Sequence, residues 1–135
     1  MKTTVVKQLT FSAGHRLYNP EYSDEKNLEI FGPCSNPHGH GHNYTLEVHI
    51  CGPVERESGM ILNLKEIKKV IEDEVISKLD HKNLNLDVDF MTGIIPTTEN
   101  LALKLFGVLD LRFGGRLLSK IVLWETPYNR VEIVR

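Results

Sequence analysis

Residues 38–51 constrain this chain more than any other stretch. They begin His38-Gly39-His40-Gly41-His42 and run without a break into Asn43-Tyr44-Thr45-Leu46-Glu47-Val48-His49-Ile50-Cys51. Tyr44, Leu46, Val48 and Ile50 alternate with Thr45, Glu47, His49 and Cys51, the period of a strand with one buried face. Gly52-Pro53 stops it. Such a strand needs neighbours in a sheet and an apolar layer over one face. If the extended conformation starts early, His40 and His42 point to one side, two residues apart. Imidazoles at that spacing can share one metal ion, and the glycines let the backbone approach closely. A solvated histidine tract is the plainer reading, but three histidines joined to a strand favour metal.

The rest of the chain supplies the partners. Residues 4–11 are β-branched and aromatic and predict a first strand. Residues 12–39 read as a long polar segment, too long for a plain connector. Asn63 followed by Glu66 predicts a helix start, and Leu64, Ile67, Val70, Ile71, Val75 and Ile76 recur at helical spacing. A second polar loop covers 80–97. Thr97 or Thr98 then caps a helix with Leu101, Leu105, Val108 and Leu109 on one stripe, ended by Gly114-Gly115. Residues 119–125 and 129–134 predict two strands around a Thr-Pro-Tyr turn. The order β-β-α-α-β-β, with paired hairpins at both ends, favours an α+β fold: an antiparallel sheet with two helices on one face. It leaves two edge strands with few edge blockers, which pairing with other subunits would resolve.

Composition narrows the function classes. The 135 residues suit one domain, 1–135, and 41% hydrophobic content is enough for a core. A formal net charge of -2 argues against a broadly basic nucleic-acid-binding surface, though not against a local anion site. Two cysteines, Cys34 and Cys51, are too few for a disulfide-stapled scaffold. No stretch reads as a signal peptide or a membrane span, so a soluble cytoplasmic protein is expected.

Two imidazoles are not a tight site, so further ligands are needed. His15, in Phe11-Ser12-Ala13-Gly14-His15-Arg16, follows the first strand. His49 has the opposite parity from Tyr44 and reads as surface or filler. His81 follows Asp80, either an acid–base pair or a loop-turning Asp at a helix end. Cys34 can be a fourth ligand, a nucleophile, a general base or an inert thiol; Cys51 reads as structural. Three neutral histidines would leave a zinc ion with an open position, a catalytic composition, whereas Cys plus His₃ would close the site.

Five motifs together carry a specific resemblance: Phe11-Ser12-Ala13-x-His15-Arg16; Phe31-Gly32-x-Cys34-x-Asn36-Pro37-x-Gly39-His40-Gly41-His42-Asn43-Tyr44; Leu79-Asp80-His81-Lys82-Asn83-Leu84; Thr97-Thr98-Glu99-Asn100; and Glu125-Thr126. In their order and spacing the chain resembles the 6-pyruvoyl-tetrahydropterin synthase family from Phe11 to Thr126. The resemblance implies the tunnelling fold, a four-stranded antiparallel sheet with two helices between its second and third strands. It implies a homohexamer, a dimer of trimers around a barrel, with active sites between subunits. It implies zinc, one ion per subunit, held by His15, His40 and His42. It makes Cys34 the proton-transferring base, with Asp80 and His81 completing a triad from a neighbouring subunit. It makes Glu125 the anchor of the pterin ring, with Thr98 and Glu99 in the same pocket. The implied reaction converts 7,8-dihydroneopterin triphosphate to 6-pyruvoyl-tetrahydropterin, for tetrahydrobiopterin biosynthesis, with elimination of triphosphate. That substrate needs a local basic patch, and Arg16, Lys26 and Lys82 are close in sequence.

His38 creates two registers. Cys34 with His40 and His42 has five intervening residues, as in the pyruvoyl synthases. Cys34 with His38 and His40 has three, as in the 6-carboxytetrahydropterin synthases of queuosine biosynthesis, which use the same substrate and release acetaldehyde. Asn36-Pro37 and Asn43-Tyr44 favour the first register, and the pyruvoyl reaction is the expectation. Two other classes compete: a non-catalytic zinc protein whose site Cys34 closes, and a zinc hydrolase in which Asp80-His81 activates water.

Overall fold

The computed structural model describes residues 1–135. In chain order its elements are β1 (Thr3–His15), α1 (Asp24–Phe31), a 3-10 turn (Gly32–Ser35), β2 (His40–Gly52), α2 (Leu64–Ile71), a π-helical turn (Glu72–Ile76), α3 (Ser77–Leu79), β3 (Lys82–Asn83), a second 3-10 turn (Asp89–Met91), α4 (Thr98–Arg112), β4 (Leu118–Thr126) and β5 (Asn129–Val134).

β1 and β2 pair antiparallel along their whole length, from Thr3 opposite Gly52 to His15 opposite His40. β4 pairs with the outer side of β2, and β5 closes a hairpin on β4. The sheet order is β3-β1-β2-β4-β5. Alternation sends Phe11, Ala13, Tyr44, Leu46, Val48, Ile50, Ile121 and Leu123 into one core, where Ile67, Ile71, Val75 and Leu79 meet them from α2 and its extension, and Leu101, Leu105 and Leu109 from α4. Val6, Gln8 and Thr10 lie on the opposite, uncovered face. This is the α+β tunnelling fold, with helices on one face of a mostly antiparallel sheet.

The differences from the sequence reading have physical causes. The sheet has a fifth strand: β3 is two residues long and pairs parallel with Ala13 and Gly14 at the edge of β1. β1 runs on to His15, so that histidine ends the strand instead of following it. The segment 12–39 contains α1, capped by Ser23, whose side chain accepts from Lys26 N–H. The helix that Asn63 caps is not uniform. Its buried residues Ile67, Ile71, Val75 and Leu79 are spaced by four, and in a straight α-helix each such step drifts roughly 40° around the axis. The wider π turn at Glu72–Ile76 absorbs that drift and returns Val75 and Leu79 to the core.

Candidate active site

His15 and His40 are directly opposed across β1 and β2, and His42 lies opposite Ala13. All three side chains fall on the helix-covered face, at the end of the sheet. Their Nε2 atoms converge: His15 to His40 at 3.2 Å and His40 to His42 at 3.0 Å. The three ligand atoms lie within 4.8 Å of one another, so His15, His40 and His42 can hold a metal ion. Phe11 and Tyr44 stack at 5.0 Å next to them and give the cluster an aromatic floor.

The donor chemistry fits a cation. His15 is 1% exposed, and its Nδ1 lies 2.8 Å from the Pro96 carbonyl. A carbonyl only accepts, so Nδ1 carries the hydrogen and the Nε2 lone pair faces the cluster. Burial lowers the His15 pKa and outweighs the raising effect of the Pro96 bond; the neighbouring imidazoles lower it further. Burial also lowers that of His42, against the opposing pull of Glu125. Neutral imidazoles are the metal-binding form. Gly39 makes the approach possible. Its φ is +67°, and a Cβ there would sit 2.6 Å from the His15 carbonyl oxygen.

Beside the cluster lies a cavity of about 320 Å³ lined by residues including Leu17, Thr98, Glu99, Glu125 and Arg130. Glu125 Oε1 is 3.7 Å from His42 Nε2. Its Oε2 accepts a hydrogen bond from Thr98 Oγ1 at 2.5 Å, which fixes the carboxylate plane. Thr97, not Thr98, caps α4 through Asn100 N–H, leaving the Thr98 hydroxyl free for Glu125.

Asp80 and His81 form a second group. Asp80 Oδ1 accepts Ser12 N–H at 2.9 Å, and His81 N–H donates to the Ser12 carbonyl at 2.6 Å. Asp80 Oδ2 is 3.0 Å from His81 Nδ1. The Ser12 bond, then the His81 bond, hold the Asp80 carboxyl below its usual range. His81 has φ +60°, a left-handed conformation that a non-glycine residue adopts only when its surroundings impose it. Its side chain is 84% exposed, so Nε2 faces outward.

Cys34 sits half-buried in the first 3-10 turn. It does not join the metal cluster, and no hydrogen bond or ion pair links it to Asp80 or His81. His38 is exposed in the turn before β2 and lies outside the cluster that could hold a metal ion, which draws on His40 and His42. His49 projects from the uncovered face of β2; burial and Lys120 lower its pKa, and Nε2 has no partner. Lys26 and Arg16 lie over the rings of Tyr22 and Tyr18, and Lys82 lines a cavity of about 480 Å³ with His81. Sequence reasoning missed the Pro96 carbonyl and the Ser12 backbone, since main-chain groups carry no side-chain signature.

The fold and site define a small α+β protein with a three-histidine cluster that could hold a metal ion, beside a cavity lined by Glu125. A family model described as 6-pyruvoyl tetrahydropterin synthase matches residues 4–135. The 6-pyruvoyl tetrahydrobiopterin synthase of Drosophila melanogaster is 46% identical over 126 residues, covering 93% of this chain and 75% of the fly protein. The human protein of the same name is 42% identical over 127 residues, covering 94% and 88%. The structure of Caenorhabditis elegans 6-pyruvoyl tetrahydropterin synthase superposes with a TM-score of 0.94 at 37% identity, covering 100% of this chain and 96% of that one. The chain belongs to the 6-pyruvoyl tetrahydropterin synthase family, and it is a lyase of that family.

Proposed function

We propose that residues 1–135 act as one pterin-synthase domain, converting 7,8-dihydroneopterin triphosphate to 6-pyruvoyl-tetrahydropterin and eliminating triphosphate, as a cytosolic homohexamer. The observation that carries this reading is the cluster of three converging histidines beside Glu125, from which the Cys34 thiol stands apart. A site closed by Cys34 would be structural; three imidazoles alone leave a coordination position for substrate. We assign the ion as zinc, held by His15, His40 and His42. When bound, zinc supplies a Lewis acid that polarises the side-chain oxygens and acidifies the neighbouring C–H bonds.

The protein's own groups do the rest. Glu125 accepts two parallel hydrogen bonds from the amino and ring N–H groups of the pterin, and Thr98 holds its carboxylate in plane. Glu99 lines the same cavity. Cys34 removes the proton, and His81 relays it. Asp80 fixes the His81 ring through Nδ1, which leaves Nε2 to exchange protons. Moving protons between side chain and ring transfers reducing equivalents internally, so the balance needs no external reductant. Because Cys34 and the Asp80–His81 pair do not meet within the chain, we assign the triad to two subunits.

The test is to incubate the zinc-loaded protein with dihydroneopterin triphosphate and identify the pterin by mass. The expected product keeps its three-carbon side chain, without acetaldehyde; carboxytetrahydropterin with acetaldehyde would overturn the assignment. Cys34→Ala should keep its zinc and lose turnover. Loss of zinc in that variant would instead make the thiol a ligand.

A further inference from the structure

The ladder between β1 and β2 ends at the pair His15 and His40, so the peptide groups of Arg16 need other partners. The side-chain amide of Asn85 supplies both. Arg16 N–H donates to Asn85 Oδ1 at 2.7 Å, and Asn85 Nδ2 donates to the Arg16 carbonyl at 2.9 Å. The amide stands in for a strand residue, just beyond the pairing of β3 with Ala13 and Gly14. Asn85 is itself fixed. Its N–H donates to Asn83 Oδ1 at 2.9 Å, and the adjacent Leu84 is fully buried with its N–H on the Gly14 carbonyl.

Arg16 and Leu17 in turn grip the turn that carries Cys34. Leu17 N–H donates to the Cys34 carbonyl at 2.8 Å, and Arg16 Nε donates to the Ser35 carbonyl at 2.8 Å. The guanidinium carbon lies 3.9 Å from the centre of the Tyr18 ring, which holds the side chain in place. Ser35 is buried, and its hydroxyl donates to the Gly32 carbonyl. Hydrogen bonds therefore run from the loop after His81, through the residue following a metal ligand, to the peptide bearing the thiol.

We propose that Asn85 and Arg16 form a clamp that positions the Cys34 turn for turnover and takes no part in holding the metal. Both are positioning residues: they act on main-chain N–H and carbonyl groups and not on the reacting atoms. A thiol displaced by about 1 Å from the proton it must remove can lose about 100-fold in rate. The kinetic part of the test rests on the reaction proposed above; the thiol-labelling part does not.

The experiment compares full-length, zinc-loaded Asn85→Leu, Arg16→Met and Arg16→Lys with the parent protein. It measures zinc content, steady-state kinetics, and iodoacetamide labelling of Cys34, with Cys51 as internal reference. Asn85→Leu and Arg16→Met should keep their zinc and lose about 100-fold in kcat, with KM changed less than about threefold. Cys34 labelling should rise several-fold as the turn frays, with Cys51 unchanged. Arg16→Lys, which keeps a donor but not the planar fork, should fall between. The clamp is overturned if kcat and Cys34 labelling match the parent in both disruptive variants. It is also overturned if zinc is lost in step with activity, or if Cys51 labelling rises with Cys34 in all three. If the parent makes no pterin product, the reaction fails as a reading, and selective labelling of Cys34 still decides the clamp.

Discussion

At the scale of single residues, the site depends on what can be absent as much as on what is present. Gly39 holds φ +67° against the His15 carbonyl. Gly39→Ala therefore has to push β1 from β2 where His15 and His40 face each other. The variant should fold but bind zinc at least about tenfold more weakly, read by competition with a chelator. Thr98→Val tests the other half of the site. Losing a hydrogen bond to a charged group costs about 1.5–3 kcal/mol. With the Glu125 carboxylate freed, KM should rise at least about tenfold while zinc content stays at the parent level. The three clustered histidines and Glu125 were legible because imidazole and carboxylate are chemically distinctive and their spacing carries a resemblance. The Pro96 carbonyl that sets the His15 tautomer was not, because any residue at position 96 carries a carbonyl; only the fold aims it.

At the scale of elements, alternation identified β2 and helical spacing identified α4, whose Leu101, Leu105 and Leu109 are fully buried. Leu105→Ala should cost about 2–5 kcal/mol in urea unfolding without moving the site residues. α1 escaped detection because it buries no apolar face: Leu28 and Ile30 are exposed, and its one buried residue is Asn27. Only Ser23, followed by Asp24 and Glu25, signalled it, as a helix start. β3 escaped because Lys82–Asn83 has no strand propensity; the pairing is imposed by Asp80 and His81 gripping Ser12. That grip has a pH signature. The folded carboxyl of Asp80 lies below its ordinary value of 3.8. Its contribution is therefore fully present above the unfolded value and is lost as pH falls through the depressed folded value. Asp80→Asn should be less stable than the parent at pH 7, and the gap in urea midpoint should close towards about pH 3. A gap that stays constant across that range would mean the carboxylate charge contributes nothing.

At the scale of the whole molecule, the sheet has one covered face and two open edges, β3 and β5. Its uncovered face carries polar and charged contacts: Lys120 with Glu132 across β4 and β5, Arg130 with Glu132 along β5, and Trp124 Nε1 donating to Glu47 across β4 and β2. Such a face tolerates water and does not need a second apolar layer, while the edges retain unpaired strand groups that a second copy can satisfy. The same partition runs through the chemistry. Cys34 is held near Leu17, beyond the end of β1, and His81 near Ser12 on its edge. In the triad proposed above, the base and its relay sit at separate places in one chain, so they would meet between two associated chains. This predicts complementation between two inactive variants. Cys34→Ala and His81→Ala, each inactive alone, should regain activity when co-expressed and purified as mixed oligomers. With random assembly, the chance that a site draws its thiol from one variant and its imidazole from the other is about one in four, so activity should approach about a quarter of the parent level. Mixed oligomers verified by mass but without activity would place both groups of each working site in a single chain and remove the shared-site reading.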